Sequence, residues 1–292
     1  MYAEFLQFLL SGITVGATYG LVGLGFFIIY NASHVINFAQ GEFVMIGGMT
    51  AVFLVDAGAP LPIAVVGAVL AAIFVGILLE KLAIEPARKS ADVVTLIIIT
   101  IGASIFLRGL AQVVWDKDFH SLPAFSGEEP INIFGAIIVP QYLWIMGGAA
   151  VIVAALWYFF NKVPMGKAMT ATAYNPLAAR LVGIRVKTVM MLGFGLAGML
   201  GAIAGILIAP IAFTSYEAGI MLGLKGFCAL ILGGLSTGRA VIIGGIIVGV
   251  AEALGAGYLS SEYKDAIAFI IILLVLIFMP QGLFGKKGAD RV

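Results

Sequence analysis

An all-α, polytopic integral membrane protein of eight or nine transmembrane helices, one of them broken or re-entrant, is the fold class this sequence predicts. Three observations carry that reading. Apolar residues make up 62% of the 292 and charged residues 11%, with a mean hydropathy of +1.14. So few charges cannot cover a water-facing surface. The apolar runs are continuous and of helix length, about 20 residues being what a bilayer core demands, and they lack the ten-residue alternation of a membrane β-barrel. Finally, 38 glycines are spread through those runs, as tight packing between membrane helices requires.

The spans fall at about 6–30, 38–56, 61–82, 93–114, 142–160, 188–209, 218–236, 239–258 and 264–281. All are read as helices, because an isolated strand cannot satisfy its backbone in lipid. The first thirty residues have no basic leader region and no small-residue cleavage site, so the first run is read as a retained span. The runs at 218–236 and 239–258 are Gly-rich and almost contiguous, which makes one of them a candidate half-crossing piece. The whole chain, 1–292, is one transmembrane domain with an exterior loop at about 115–141 and a cytoplasmic loop at about 163–187.

Basic residues set the expected sides. Lys81, Arg88, Lys89, Lys162, Lys167, Arg180, Arg185, Lys187, Arg239, Lys286, Lys287 and Arg291 all fall on one face of a nine-span path. By the positive-inside rule that face is cytoplasmic, which puts the N-terminus outside and the C-terminus inside. Glu4, Asp56, Asp116, Asp118, Glu128, Glu129, Glu217, Glu262 and Asp265 gather on the other face with Lys117 and Lys264. Ser126 is then exterior and Ala173 cytoplasmic.

Polar residues interrupt the hydrocarbon at few places. The stretch YNASHVINFAQGEFVMIGG (30–48) puts Asn37, Gln40 and Glu42 just inside or beneath the hydrocarbon. They are candidate pathway or gate residues on a discontinuous helix; Asn37 and Gln40, three apart, share a face if both are helical. The bland alternative is that they cap helix ends and bond one another. Lys225 and Glu252 are charges within apolar runs, so each is expected to face protein or a water-filled path. They either pair with protein groups or neutralise a passing zwitterion. Arg108, near the exterior end of its span, is expected to snorkel to the interface.

The loop VPMGKAMTATAYNPLAARLVGIRVKTV (163–189) predicts two short helices meeting at Asn175–Pro176, an N-cap followed by a first-turn proline. Gly183 suits the position that ends the second. Leu177, Leu181, Val182 and Ile184 form an apolar ridge rimmed by Arg180, Arg185 and Lys187. Such a ridge either docks on a partner or lies among lipid head groups. The exterior loop is likewise read either as a cap over helix ends or as a docking face. Cys228 is the single cysteine and is read as packing. There is no phosphate-binding P-loop, no HExxH and no paired-histidine metal motif, so no cofactor, metal or catalytic residue is expected, and any ATP-driven motor is another chain.

End to end, the chain resembles the shorter permease of the branched-chain amino acid ABC importers and their urea and short-amide relatives. The resemblance is carried by GITVGATYGLVGLGFFIIYNASHVINFAQGEFVMIGG, by GKAMTATAYNPLAARLVGI, by LILGGLSTGRAVIIGGIIVGVAEAL and by FIIILLVLIFMPQGLFG. It implies a non-catalytic subunit of the inner membrane, paired with a longer permease paralogue. It also implies two cytoplasmic ATPase subunits and an extracytoplasmic substrate-binding protein, with no nucleic acid. The middle loop would couple to the ATPase through Gly166, Lys167, Ala171, Asn175, Pro176, Leu177, Arg180 and Gly183; Gly166, Lys167, Ala171, Ala178 and Gly183 match the family pattern. The substrate would be leucine, isoleucine or valine, with urea, short amides or other amino acids as alternatives. An ion-driven secondary transporter and a non-transporting assembly protein are the readings from other classes.

Overall fold

The computed structural model describes residues 2–88, 91–127, 129–133 and 135–285. Lys89, Glu128, Lys286, Lys287 and Arg291, used above to set the sides, lie outside the described residues. Twelve α-helices follow one another: α1 (Tyr2–Ser33), α2 (Gln40–Asp56), α3 (Leu61–Leu79), α4 (Glu85–Ala87), α5 (Val93–Val114), α6 (Gln141–Lys162), α7 (Pro164–Tyr174), α8 (Pro176–Leu181), α9 (Val186–Ala212), α10 (Ala218–Gly233), α11 (Gly238–Tyr258) and α12 (Lys264–Phe278). A π-helical turn, Glu80–Ile84, joins α3 to α4.

The fold is helical, and among the described residues six helices are long and apolar enough to cross a membrane: α1, α3 with its continuation to Ala87, α5, α6, α9 and α11. The other three predicted spans form shorter helices: α2 has 17 residues, α10 has 16 and α12 has 15. For α2 the reason is geometric. After α1 the chain folds back at once, and α2 begins inside the bundle. The Gln40 side chain packs on Gly25, well above the end of α1, and its amide donates to the Ala197 carbonyl in the middle of α9 at 3.0 Å. The first turn of α10 meets it there, Gly41 and Gly219 touching backbone to backbone. This corrects the expectation that Asn37 and Gln40 share a helical face: Asn37 precedes the helix and lies in the turn that starts it.

Helices α1 and α9 form the buried centre, whereas α5 and α6 show most of their surface outward. Val94, Ile98, Ile105 and Phe106 of α5 and Val151, Trp157 and Tyr158 of α6 are exposed. An apolar outer face of this kind suits lipid or another apolar chain. The α1–α11 contact is backbone to backbone along its length, because Gly12, Gly16 and Gly20 oppose Gly245 and Gly249. A Cβ at Gly16 would lie 2.7 Å from both the Gly245 carbonyl and the Ile246 Cα. Small residues four apart let the two backbones touch, which is how helices gain packing energy where no hydrophobic effect separates them. Helix α5 starts at Asp92, whose carboxylate accepts from the Thr95 amide at 3.1 Å, and Thr95 holds that carboxyl below its usual range.

The segment between α5 and α6 is not wholly helical. Strands β1 (Ile131–Ile133) and β2 (Ala136–Ile138) pair antiparallel, a hairpin the all-helical expectation left out. His120 and Thr214 exchange backbone hydrogen bonds at 2.9 and 2.8 Å, tying the loop to the α9–α10 link. Buried Gln141 donates to the Leu207 carbonyl at 2.8 Å, so the loop is pinned to the bundle from both ends.

Candidate functional site

The polar stretch after α1 is satisfied in part by the chain itself, with Asn37 Nδ2 and Gln40 Oε1 left without a hydrogen-bond partner among the described residues. His34 takes a positive φ of 56°, which reverses the chain; a non-Gly residue in that region marks a constrained turn. Asn37 Oδ1 accepts from the Ala39 amide at 3.1 Å. The Phe38 amide donates to Thr100 Oγ1 at 3.1 Å, and the Gln40 amide donates to the Asn37 carbonyl at 3.0 Å. Asn37 and Gln40 are both completely buried. Their visible work is to hold the break from which α2 starts.

Glu42 differs from its two neighbours. It is buried to 1% exposure, yet it borders a cleft of about 150 Å³ between α2, α5 and the first turns of α10. Ser104 donates to Glu42 Oε1 at 2.7 Å. Arg108 Nε stands 3.3 Å from the same oxygen without the alignment of a hydrogen bond, and Glu42 Oε2 has no partner. Arg108 is therefore not a snorkelling anchor. Its side chain, 29% exposed, turns inward to the carboxylate, because an acid buried in this bundle is costly without a cation beside it. Thr100, Ser104 and Arg108 are spaced by four and share one face of α5, the face that meets the break. Sequence reasoning missed this stripe, although its helical spacing was there to be read.

The two intramembrane charges at 225 and 252 form a separate cluster. Lys225 Nζ donates to Glu252 Oε1 at 2.7 Å and to the Tyr19 hydroxyl at 3.1 Å. It also reaches Asp265 Oδ1 at 2.6 Å. The Tyr19 hydroxyl in turn donates to Glu252 Oε2 at 3.0 Å. An ammonium has three donors; two are used in these hydrogen bonds, and Asp265 adds a close charge contact. The cluster ties α1, α10, α11 and α12 together. Tyr19 and Asp265 were not foreseen, since nothing in their own neighbourhoods marks them as partners of Lys225. The five predicted pathway residues are thus split: Glu42 borders the cleft, Asn37 and Gln40 build the break, and Lys225 and Glu252 bond each other.

The loop between α6 and α9 forms the expected pair of short helices. Asn175 Oδ1 accepts from the amides of Leu177 and Ala178, each at 3.0 Å, and Pro176 occupies the first turn of α8. Gly183 ends the turn at φ +87° with open space around its Cβ direction, so it is needed for its backbone conformation rather than for packing. Gly166 packs on the Phe159 carbonyl at the end of α6, setting the angle at which α7 leaves. Lys167, Ala171 and Arg180 lie on α7 and α8. Buried Met169 and Ala179 seat the pair on the bundle, while Tyr174, Leu177, Leu181 and Val182 stand out into open space. Lys187 pairs with Glu85, linking the base of the elbow to the continuation of α3.

Comparison with known proteins gives this geometry a family. A family described as "Branched-chain amino acid transport system / permease component" matches residues 8–276. The chain is 34% identical to the high-affinity branched-chain amino acid transport system permease protein LivH of Escherichia coli K12, covering 100% of this chain and 99% of that protein. It is 31% identical to the high-affinity branched-chain amino acid transport system permease protein BraD of Pseudomonas aeruginosa, covering 99% and 98%. A chain of the solved PsaBC from Streptococcus pneumoniae in complex with Fab superposes with a TM-score of 0.52 at 19% identity, over 96% of this chain and 97% of that one, a likeness of fold. By its near full-length match, this chain belongs to the permease component family of branched-chain amino acid transport systems.

Proposed function

We propose that this chain is the permease subunit of a binding-protein-dependent ABC importer of branched-chain amino acids and supplies half of the translocation path. The observation that carries the reading is the elbow α7–α8. It is rigidly capped by Asn175, yet it exposes Leu177, Leu181 and Val182, a surface suited to a cytoplasmic partner that performs work. The partners are a longer permease paralogue, two ATPase subunits and an extracytoplasmic binding protein. The substrate class follows the family and the names of the relatives. An ion-driven carrier acting alone has no use for such an elbow. Within the chain, the pathway role narrows to Glu42, with Asn37 and Gln40 holding the helix break beside it and Lys225 and Glu252 bracing the helices.

On this reading the chain makes eight or nine passes of the inner membrane, with α2, α10 and α12 as short members that begin or end within the bundle. The N-terminus is outside and the C-terminus inside. Cysteines introduced at Ser126 and Ala173 in a Cys228→Ala background test the sides in intact cells. An impermeant thiol reagent should label the first and not the second; the opposite pattern inverts the topology.

The function itself is tested by reconstituting the chain with its neighbouring permease, ATPase and binding-protein subunits in liposomes. Uptake of labelled leucine should require internal ATP and added binding protein. Leucine uptake driven by an ion gradient alone, without ATP, would overturn the proposal.

A further inference from the structure

We infer that the cleft between α2, α5 and α10 is a transient site for the zwitterionic head group of an α-amino acid, with Arg108 receiving the carboxylate and Glu42 the ammonium. The inference rests on the importer reading above and names the substrate-handling residues within it. Two unspent groups of opposite charge face one space. Arg108 stands 3.3 Å from Glu42, but its Nε makes no hydrogen bond, and Glu42 Oε2, fully buried, has no partner among the described residues. A fully formed fork between guanidinium and carboxylate would use two parallel bonds. This pair is close enough to be mutually neutral and loose enough to be parted.

The exchange conserves charge. A zwitterion entering between Arg108 and Glu42 replaces one buried ion pair by two, and no net charge is carried into the bundle. An anion or a cation alone would leave one protein charge uncompensated, at a far greater desolvation cost. Ser104, which donates to Glu42 Oε1 at 2.7 Å, keeps the carboxylate aimed while Arg108 swings away. The first turns of α2 and α10 also bound the cleft through Glu42, Gly219 and Ile220. Helix N-termini of this kind help hold the Glu42 carboxylate in its charged form as the ammonium's acceptor.

The rest of the lining suits the other end of the substrate. Phe26, Phe38 and Phe227 form the cleft's inner wall, where a branched aliphatic side chain finds apolar surface and a polar one finds no partner. Gly219 and Gly223, on the same face of α10 as Phe227, let α10 close on α2 beside the cleft, since side chains there would meet the backbone of Gly41. The outer rim runs along α5 and α10 at Ile101 and Leu224, both exposed, so the second permease completes the enclosure.

The test uses the whole complex in liposomes, with leucine-loaded binding protein at saturation and uptake normalised to assembled complex. The double variant Glu42→Gln/Arg108→Gln keeps the charge balance and the shape of residue 42 and leaves no stranded charge, so a purely structural pair would tolerate it far better than either single change. Leucine uptake per complex should fall at least roughly tenfold, which is the loss of about 1.4 kcal/mol or more of differential stabilisation, while Arg108→Lys should recover part of it. Should the double variant fail to assemble, Ile220→Trp fills the cleft without touching the pair and should produce a comparable loss. Wild-type uptake by the double variant, or by Ile220→Trp, overturns the inference while leaving the importer reading intact. A wild-type complex that does not import leucine overturns the importer reading instead.

Discussion

Replacing Leu177 by Asp should collapse leucine uptake while the permease still folds. The side chain is 72% exposed and bonds nothing in the chain, so the substitution costs the isolated bundle little. In the proposed docked complex the same position would lie against the partner. A carboxylate placed in an apolar contact without a partner costs several kcal/mol, and every 1.4 kcal/mol is tenfold in affinity. The expected outcome is loss of co-purified ATPase, or of binding-protein-stimulated ATP hydrolysis, with normal permease in the membrane. Gly183→Val acts by a different route. There is room for the side chain, but φ +87° is strained for a β-branched residue at about 1–3 kcal/mol, so the end of α8 shifts and coupling weakens less steeply. Unchanged uptake in both variants would remove the elbow from the coupling path.

Lys225→Met should deplete folded permease from the membrane. The ammonium serves Glu252, Tyr19 and Asp265 at once, and Glu252 is buried. Removing one member of a buried ion pair leaves an uncompensated charge, typically at about 3–5 kcal/mol, comparable to a large share of the whole stability of a domain. Lys225→Met/Glu252→Gln removes the stranded charge as well and should restore most of the assembled protein. Detergent-solubilised samples run on a size-exclusion column with a fluorescent tag would separate the two. A monodisperse single variant at wild-type yield would mean that the cluster does not brace α1, α10, α11 and α12.

Much of this architecture is legible in the sequence because lipid imposes local rules. A run of apolar residues must be a helix, whatever its neighbours, since its backbone can bond only to itself. The elbow is local too. Asn175–Pro176 and Gly183 encode a start and a stop within a few residues, and α8 runs Pro176–Leu181 between them. Arg108 marks the boundary of such reasoning. By its own span it looks like an interfacial anchor, and only the arrival of Glu42 from another helix turns it inward.

The sequence by itself determined that the chain is a helical membrane protein, where its helices lie and what form its elbow takes, because each of these follows from the energetics of a short segment in lipid or of its own caps. Tertiary structure alone decided how deep α2 begins, that Thr100, Ser104 and Arg108 of α5 meet the break, and that Tyr19 and Asp265 join Lys225 and Glu252. These are choices of partner among helices distant in the chain. They are set by which glycine-lined faces can close on one another, as Gly41 does on Gly219 and Gly16 on Gly245, and by the cost of leaving any charge inside without an opposite one. No single segment contains that information, since the energy belongs to the pair.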